Sequence, residues 1–296
     1  MSNFKDLLVE FIYNLKFKIT KRPQVYSIND TLAHILDTSC SVSRYGDGEI
    51  KWIYDISHPS FQEADKEMGE RLKEILFHVN EDNDRLIICI PEFFNGLQGF
   101  NDEAKKYYER NFIRDGKLWK PYVSENMRYY NADITRPYID YKNKENSKEY
   151  FRKWKEIFND RNILLVEGES TQFGVGNDFL DSARSVQRII CPSENAFKKY
   201  NEIKNAISNN ALKIDSPLVL ISLGPTATIL SYELSSQNMQ LIDIGHTDLE
   251  YEWYLKKALR KVPVKGRVVN ELGQKSRDLM PIKSQQYESE IIEKIL

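Results

Sequence analysis

The chain has 296 residues, 41% of them hydrophobic and 29% charged, and a formal net charge of -2. That is the make-up of an ordinary soluble globular protein, long enough for one large domain or one domain with a sizeable appendage. The near-neutral balance and the absence of any Lys/Arg block interleaved with aromatics exclude a nucleic-acid-binding face.

Phe4, Leu7, Leu8, Phe11, Ile12, Leu15 and Ile19 recur at helical spacing. Asp6 and Glu10 make this stretch too charged for a signal sequence. Lys16, Lys18, Lys21 and Arg22 follow. The expected helix either docks on the body or on a partner subunit, a homo-oligomer included, or lies on the anionic inner face of a membrane. A further helix is expected over Ile28–Leu36, started by Asn29 or Asp30. Cys40 to Arg44 is the first strand candidate, and a short helix around Ile50 to Tyr54 is expected after the loop that follows. Glu63 to His78 is strongly amphipathic, with Met68, Leu72, Ile75 and Leu76 on one face.

Leu86 to Ile90 is a continuous apolar run ended by Pro91, hence a buried strand. Helices are expected over Asn101–Phe112 and Glu145–Phe158, and the polar, aromatic stretch Tyr122–Tyr141 between them reads as an excursion over a site. The second half repeats a strand-then-helix pattern. Strands are expected at Asn162–Val166, Arg188–Cys191, Leu218–Leu223 and Gln240–Ile244. Helices are expected from Ser193 to Ile207, from Thr226 to Leu234 and from Glu250 to Lys261. Such alternation predicts a Rossmann-like, mostly parallel sheet with helices on both faces. The predicted layout is a helical lead over residues 1–26, one α/β body over 27–270 and a tail over 271–296. Cys40, Cys89 and Cys191 fall in or beside apolar runs without metal-ligand spacing, and read as reduced core residues of a cytoplasmic protein.

Open α/β sheets bind ligands beyond the carboxyl ends of their strands. Ser43-Arg44-Tyr45-Gly46-Asp47-Gly48-Glu49 lies at one such end, with two carboxylates between glycines. Carboxylates so placed suit a hard divalent cation; they equally suit a helix start, with Asp47 as cap and Glu49 facing the dipole. Ser222-Leu223-Gly224-Pro225-Thr226-Ala227-Thr228 is a strand, a turn and a helix start, where freed N–H groups and the Thr226 and Thr228 hydroxyls make an anion site. Gly174-Val175-Gly176 lacks the third glycine of a dinucleotide fingerprint. The neighbouring Asn177 and Asp178 either bond a sugar hydroxyl or cap a helix over Phe179–Arg184. Asp243 lies inside an apolar strand and must be paired. His246, Asp248 and Glu250 follow a glycine turn.

Taken with Val166-Glu167-Gly168, Phe173 to Asp178, Leu223 to Thr228 and Asp243 to Trp253, the Arg44-to-Glu49 motif makes the chain resemble the bacterial GT-D-type glycosyltransferases, from about Ser27 to Asn270. The resemblance implies a Rossmann-like GT-D fold and a nucleotide-sugar donor, typically UDP-glucose. It also implies a divalent cation, Mn2+ or Mg2+, engaged by the D-x-E motif Asp47-Gly48-Glu49. Such enzymes build surface glycans or glycosylate adhesins, so a glycan or glycoprotein is the expected acceptor. The metal set expected is Asp47, Glu49 and His246. Donor contacts are expected from Arg44, Gly46, Glu167, Gly168, Asn177, Asp178, Gly224, Pro225, Thr226 and Asp243. Asp47 and Glu49 would be catalytic, with Asp248 or Glu250 as the base on the acceptor. The alternatives are a phosphohydrolase with Asp47 as nucleophile and a non-catalytic nucleotide-sugar-binding protein.

Overall fold

The computed structural model describes residues 4–56, 61–81, 85–235, 239–269, 272 and 281–296. The first half runs α1 (Phe4–Ile19), β1 (Gln24–Val25), α2 (Ile28–Thr38), β2 (Ser41–Arg44), α3 (Asp47–Ile53), α4 (Lys66–Phe77), β3 (Leu86–Ile90), α5 (Asp102–Asp115) and β4 (Arg128–Asn131). The second half runs α6 (Ser147–Phe158), β5 (Asn162–Gly168), β6 (Ser185–Cys191), α7 (Tyr200–Ala211), β7 (Leu218–Ser222), α8 (Pro225–Leu234), β8 (Gln240–Asp243), α9 (Thr247–Leu255), α10 (Gln285–Glu290) and β9 (Ile291–Lys294).

The strands form one sheet in the order β1-β4-β3-β2-β8-β7-β5-β6-β9, and every pairing is parallel. Alternate residues of the apolar strands feed two separate cores. Leu164 and Val166 of β5 pack with Leu72 of α4, Ile203 of α7 and Ile229 of α8. Ile163 and Leu165 pack on the other side with Leu32 of α2, Trp154 of α6 and Trp253 of α9. Burial on both faces is why these strands read as unbroken apolar runs.

The chain leaves β2 outward through β3 and β4, while β8 of the second half closes against β2 from the other side. The two halves therefore meet at β2/β8, the kind of switch point where such sheets hold ligands.

Several local expectations are corrected. Helix α2 starts at Ser27, whose hydroxyl accepts from Asp30 N at 3.1 Å, rather than at Asn29 or Asp30. Helix α4 starts after Asp65, which caps Met68 N, so Glu63 lies outside it. Ser193 caps no helix; its Oγ accepts from Ser170 N, and α7 begins only at Tyr200. Phe179–Arg184 is a series of turns, not a helix. Helix α9 covers Thr247–Leu255, earlier and shorter than the Glu250–Lys261 expected. Tyr122–Tyr141 is not a simple excursion, because it contains β4 and a 3-10 turn over Ala132–Thr135. The lead and the tail each supply an edge strand, β1 and β9, so the sheet extends beyond residues 27–270. Residues 270, 271 and 273–280, where the tail was expected to begin, lie outside the described residues.

The three cysteines are buried and free. Among the described residues, no helix is long and apolar enough to cross a membrane.

Candidate active site at the carboxyl edge of the sheet

The acidic motif is the first turn of α3 rather than a loop before it. Gly46 is the N-cap, and its N–H donates to Glu49 Oε2 at 2.8 Å. Asp47 sits on the same turn but faces α5. Three donors converge on its Oδ2: Lys51 Nζ at 2.6 Å, Asn111 Nδ2 at 3.2 Å and the Tyr107 hydroxyl. Burial works against ionisation of Asp47, but Lys51, Tyr107 and the charge of Arg136 hold its carboxyl below the usual range. Glu49 behaves oppositely, as burial and the neighbouring charge of Asp243 push it up to about 7.

Arg44 and Asp243 clamp the two halves of the sheet together. Arg44 Nε donates to the Asp243 carbonyl and Nη2 to Asp243 Oδ1, both at 2.8 Å. The Thr228 hydroxyl donates to the Arg44 carbonyl at 3.0 Å and reaches Asp243 Oδ2 at 3.3 Å, so it faces the clamp and not a phosphate. Burial raises Asp243, against the pull of Arg44. Gly245 has φ +48°, and a Cβ there would lie 2.3 Å from Arg44 Nη2. Glycine is thus required for the guanidinium to come this close.

The turn after β7 opens on the same edge. Gly224 has φ +56° and caps α8, with Pro225 at the first helical position. Thr226 Oγ1 is buried with no hydrogen-bond partner among the described residues. The Phe61 ring lies against Gly224, 2.4 Å from where a Cβ would stand. His246 is the half-buried N-cap of α9 at the end of β8.

Sequence reasoning placed six further residues here that the structure commits elsewhere. Asp248 is 3% exposed and both oxygens are taken, Oδ1 by Asn177 Nδ2 at 2.8 Å and Oδ2 by Arg267 Nε at 2.6 Å. Glu250 is buried, and its Oε2 accepts the backbone N–H groups of Tyr138 and Ile139 at 3.0 and 2.8 Å. Because α9 begins at Thr247, its first turn points these carboxylates into the packed interior, closed to an acceptor hydroxyl. Glu250 does not cap its own helix either. Burial and Asp140 push it up to about 7. Glu167 pairs with Arg188 at 2.6 Å and accepts Phe173 N; burial raises it. Gly168 packs against Ser193. Asn177 bridges Asp248 and Glu252, and Asp178 holds Lys155 and the Tyr251 hydroxyl. The Gly174–Asn177 turn lines a cavity of about 540 Å³ with Arg188 and Tyr287, away from Asp47.

Other residues enter the site instead. Asp133 stands just past the end of β4, where Tyr141 OH reaches its Oδ2 at 3.4 Å. Burial, with Glu92 and Asp140 adding to it, pushes Asp133 up to about 7, while Arg136 pulls down. Lys51, four residues after Asp47, was legible as a helical pair. Asp133 and Arg136 carried no such local signal, since β4 is short and polar, and Tyr107 and Asn111 lie on α5, whose approach to Asp47 only the tertiary fold sets.

The fit to a divalent cation rests on the donor set. Asp47 and Glu49 stand two apart on a helix, a spacing that does not stack side chains on one face. Among the described residues no three His, Cys, Asp or Glu groups could hold a metal together, so His246 does not complete a set with them. The described side chains thus form no ready cation cage, and an ion held here would take most of its ligands from phosphate and water, as Mg2+ does.

A nine-stranded parallel sheet whose carboxyl edge gathers Asp47, Glu49, the Gly224–Pro225 turn and His246 around the β2/β8 junction defines an open α/β protein with a polar strand-end cleft. Comparison with known proteins sharpens this. The model of the glycosyltransferase GT-D fold family matches residues 42–272, and the chain belongs to that family. A probable glycosyl transferase, Gly, of Streptococcus gordonii is 36% identical over 278 residues, covering 90% of this chain. Glycosyltransferase GlyD of Streptococcus pneumoniae is 34% identical over 273 residues, covering 92% of it. The chain spans only 38% and 33% of the length of these two relatives. Among solved structures, a highly conserved domain of unknown function, 1792, described as having a distinct glycosyltransferase fold, superposes with a TM-score of 0.86 at 32% identity, covering 98% of this chain and all of that one. A glycosyltransferase of the same domain type from Streptococcus sanguinis gives 0.86 at 36% identity, covering 93% of this chain and all of that one.

Proposed function

We propose that this chain transfers a sugar, glucose first among the candidates, from a UDP-sugar donor to a hydroxyl of a glycan or glycoprotein acceptor. The observation that carries the reading is the Asp47 carboxylate, held by Lys51, Tyr107 and Asn111 at the β2/β8 switch point of a chain of this family. In the transfer, the acceptor oxygen bonds to the anomeric carbon as the bond to the diphosphate oxygen breaks. A divalent cation, Mn2+ or Mg2+, belongs to the proposal: Asp47 and Glu49 would hold it, and it would neutralise charge on the leaving diphosphate. The N–H groups of Gly224 and Thr226, on either side of Pro225, would face the diphosphate itself.

If the transfer inverts, the acceptor proton needs a base, and the role first expected of Asp248 or Glu250 goes in this proposal to Asp133. That residue is 8% exposed at the carboxyl end of β4, whereas those two are buried deeper (3% and 1%) on structural partners. Its carboxyl near 7 suits a general base at neutral pH. Burial sets that value first, Glu92 and Asp140 raise it further, and Arg136 and Tyr141 pull against them. The rate of transfer should therefore rise with pH through about 7 as Asp133 loses its proton. Asp133→Asn should flatten this limb and lower kcat by roughly a hundredfold. A pH profile unchanged in the variant removes Asp133 from the role.

Gly224→Ala tests the diphosphate position. Its φ is open to glycine almost alone, and the added Cβ meets the Phe61 ring, so a stability loss of about 1–3 kcal/mol is expected. UDP affinity by calorimetry should fall further than the same loss produces in Phe61→Ala. Equal UDP affinity in folded Gly224→Ala places the diphosphate elsewhere.

The deciding experiment is a donor screen for sugar release, UDP-sugars against other nucleotide sugars, with Mn2+ and with EDTA. Turnover of a UDP-sugar that EDTA stops supports the proposal. Phosphate release from simple phosphoesters would instead indicate a phosphohydrolase. Tight UDP-sugar binding without turnover on any acceptor would indicate a sensor.

A further inference from the structure

Helix α1 has two unlike faces. Its inner face docks on α5: Tyr13 is buried, and Tyr13 and Phe17 each stand 5.6 Å from the Phe112 ring. Its outer face carries Phe4, Phe11 and Ile19 at 78%, 66% and 71% exposure, with Leu7, Leu8 and Leu15 about half exposed. Positions 4, 8, 11, 15 and 19 form a single stripe along the helix. Six large apolar side chains on one exposed face exceed the scattered hydrophobics of an ordinary surface.

The charges of α1 are sorted in the same way. Both acids face α5, where Asp6 pairs with Lys106 and Arg110 at 3.0 and 2.7 Å and Glu10 with Lys105 at 2.6 Å. Lys5 and Lys18 are exposed beside the apolar stripe, and no acid of the helix joins them. A second copy of the stripe laid on the first would set lysine against lysine. An anionic surface matches both its charge and its apolar residues.

We propose that α1 is a docking face for an anionic phospholipid bilayer, lying in the plane of the interface. The helix is 16 residues long, too short to cross the hydrocarbon core. On α5, the residues that hold α1 (Lys105, Lys106, Arg110) are interleaved with those that hold Asp47 (Tyr107, Asn111). Docking through α1 therefore sets the candidate site one helix away from the bilayer.

Co-sedimentation of the whole chain with vesicles tests this, using phosphatidylcholine alone and phosphatidylcholine with one-third phosphatidylglycerol. Binding is expected on the anionic vesicles, at least about tenfold weaker on the neutral ones and weakened by salt. The triple variant Leu8→Ser, Phe11→Ser, Leu15→Ser should lose at least about tenfold in binding with its melting temperature kept, because these side chains are already exposed. Lys5→Gln with Lys18→Gln should remove the preference for anionic lipid. The proposal fails if the chain does not sediment with anionic vesicles, or if the triple variant binds them as well as the parent. It also fails if light scattering shows a dimer that the triple variant dissociates, because the stripe then belongs to a second copy.

Discussion

Asp47→Asn is expected to lower the rate of sugar transfer by about a hundredfold or more while the protein stays folded. The substitution keeps the size of the side chain and removes its charge. In the structure that charge is held ionised by Lys51, Tyr107 and Arg136, at the point where the two halves of the sheet meet. Lys51 is buried and loses its partner at 2.6 Å, but Asp115 remains 3.9 Å away. The change should therefore touch stability less than turnover. Tyr107→Phe gives the comparison, since it takes away one of the three donors to Asp47 and leaves the charge. Its effect on kcat should be much the smaller. Single-turnover rates, with the melting temperature measured beside them, separate chemistry from folding. Normal turnover by folded Asp47→Asn would remove the acidic turn from catalysis and, with it, the cation from the proposal.

Asp248→Ala should behave in the opposite way, destabilising the fold by roughly 3–5 kcal/mol. Arg267 and Asp248 are each 4% exposed in their side chains and meet at 2.6 Å. Removing the carboxylate leaves a guanidinium buried without its charge partner, although Arg267 Nη2 keeps its bond to the Val175 carbonyl. Asn177 keeps Glu252 when it loses Asp248. Pairing the change with Arg267→Met should recover part of the loss, because no buried charge is then stranded. Urea unfolding of both variants measures this directly, read as a shift of the midpoint at constant slope. The fraction of Asp248→Ala that remains folded should transfer sugar near the parent rate. A variant of full stability with lost turnover would return Asp248 to the acceptor side of the site.

These two carboxylates show where local reading stops. In sequence, Asp47 and Asp248 look alike: each is an acid in a short polar motif after a strand and a glycine. Their roles diverge because of partners far along the chain. Tyr107 and Asn111 reach Asp47 from 60 and 64 residues away, while Asn177 and Arg267 reach Asp248 from 71 and 19.

The sequence by itself determined the central sheet, its parallel sense and the family. Leu86–Ile90, Asn162–Gly168 and Leu218–Ser222 are buried on both faces, so their apolar runs are unbroken and visible in one dimension. Glycine and proline mark the turns after them because those turns need particular backbone angles. Only the tertiary structure decided the rest. The strands β1, β4 and β9 are too short or too polar to show a period, and they exist because a neighbour strand offers its backbone to pair with. The same holds for the charges. Whether a carboxylate ends at the strand-end cleft or paired in the interior depends on which cation the fold brings to it, and that contact leaves no trace in the spacing of either residue.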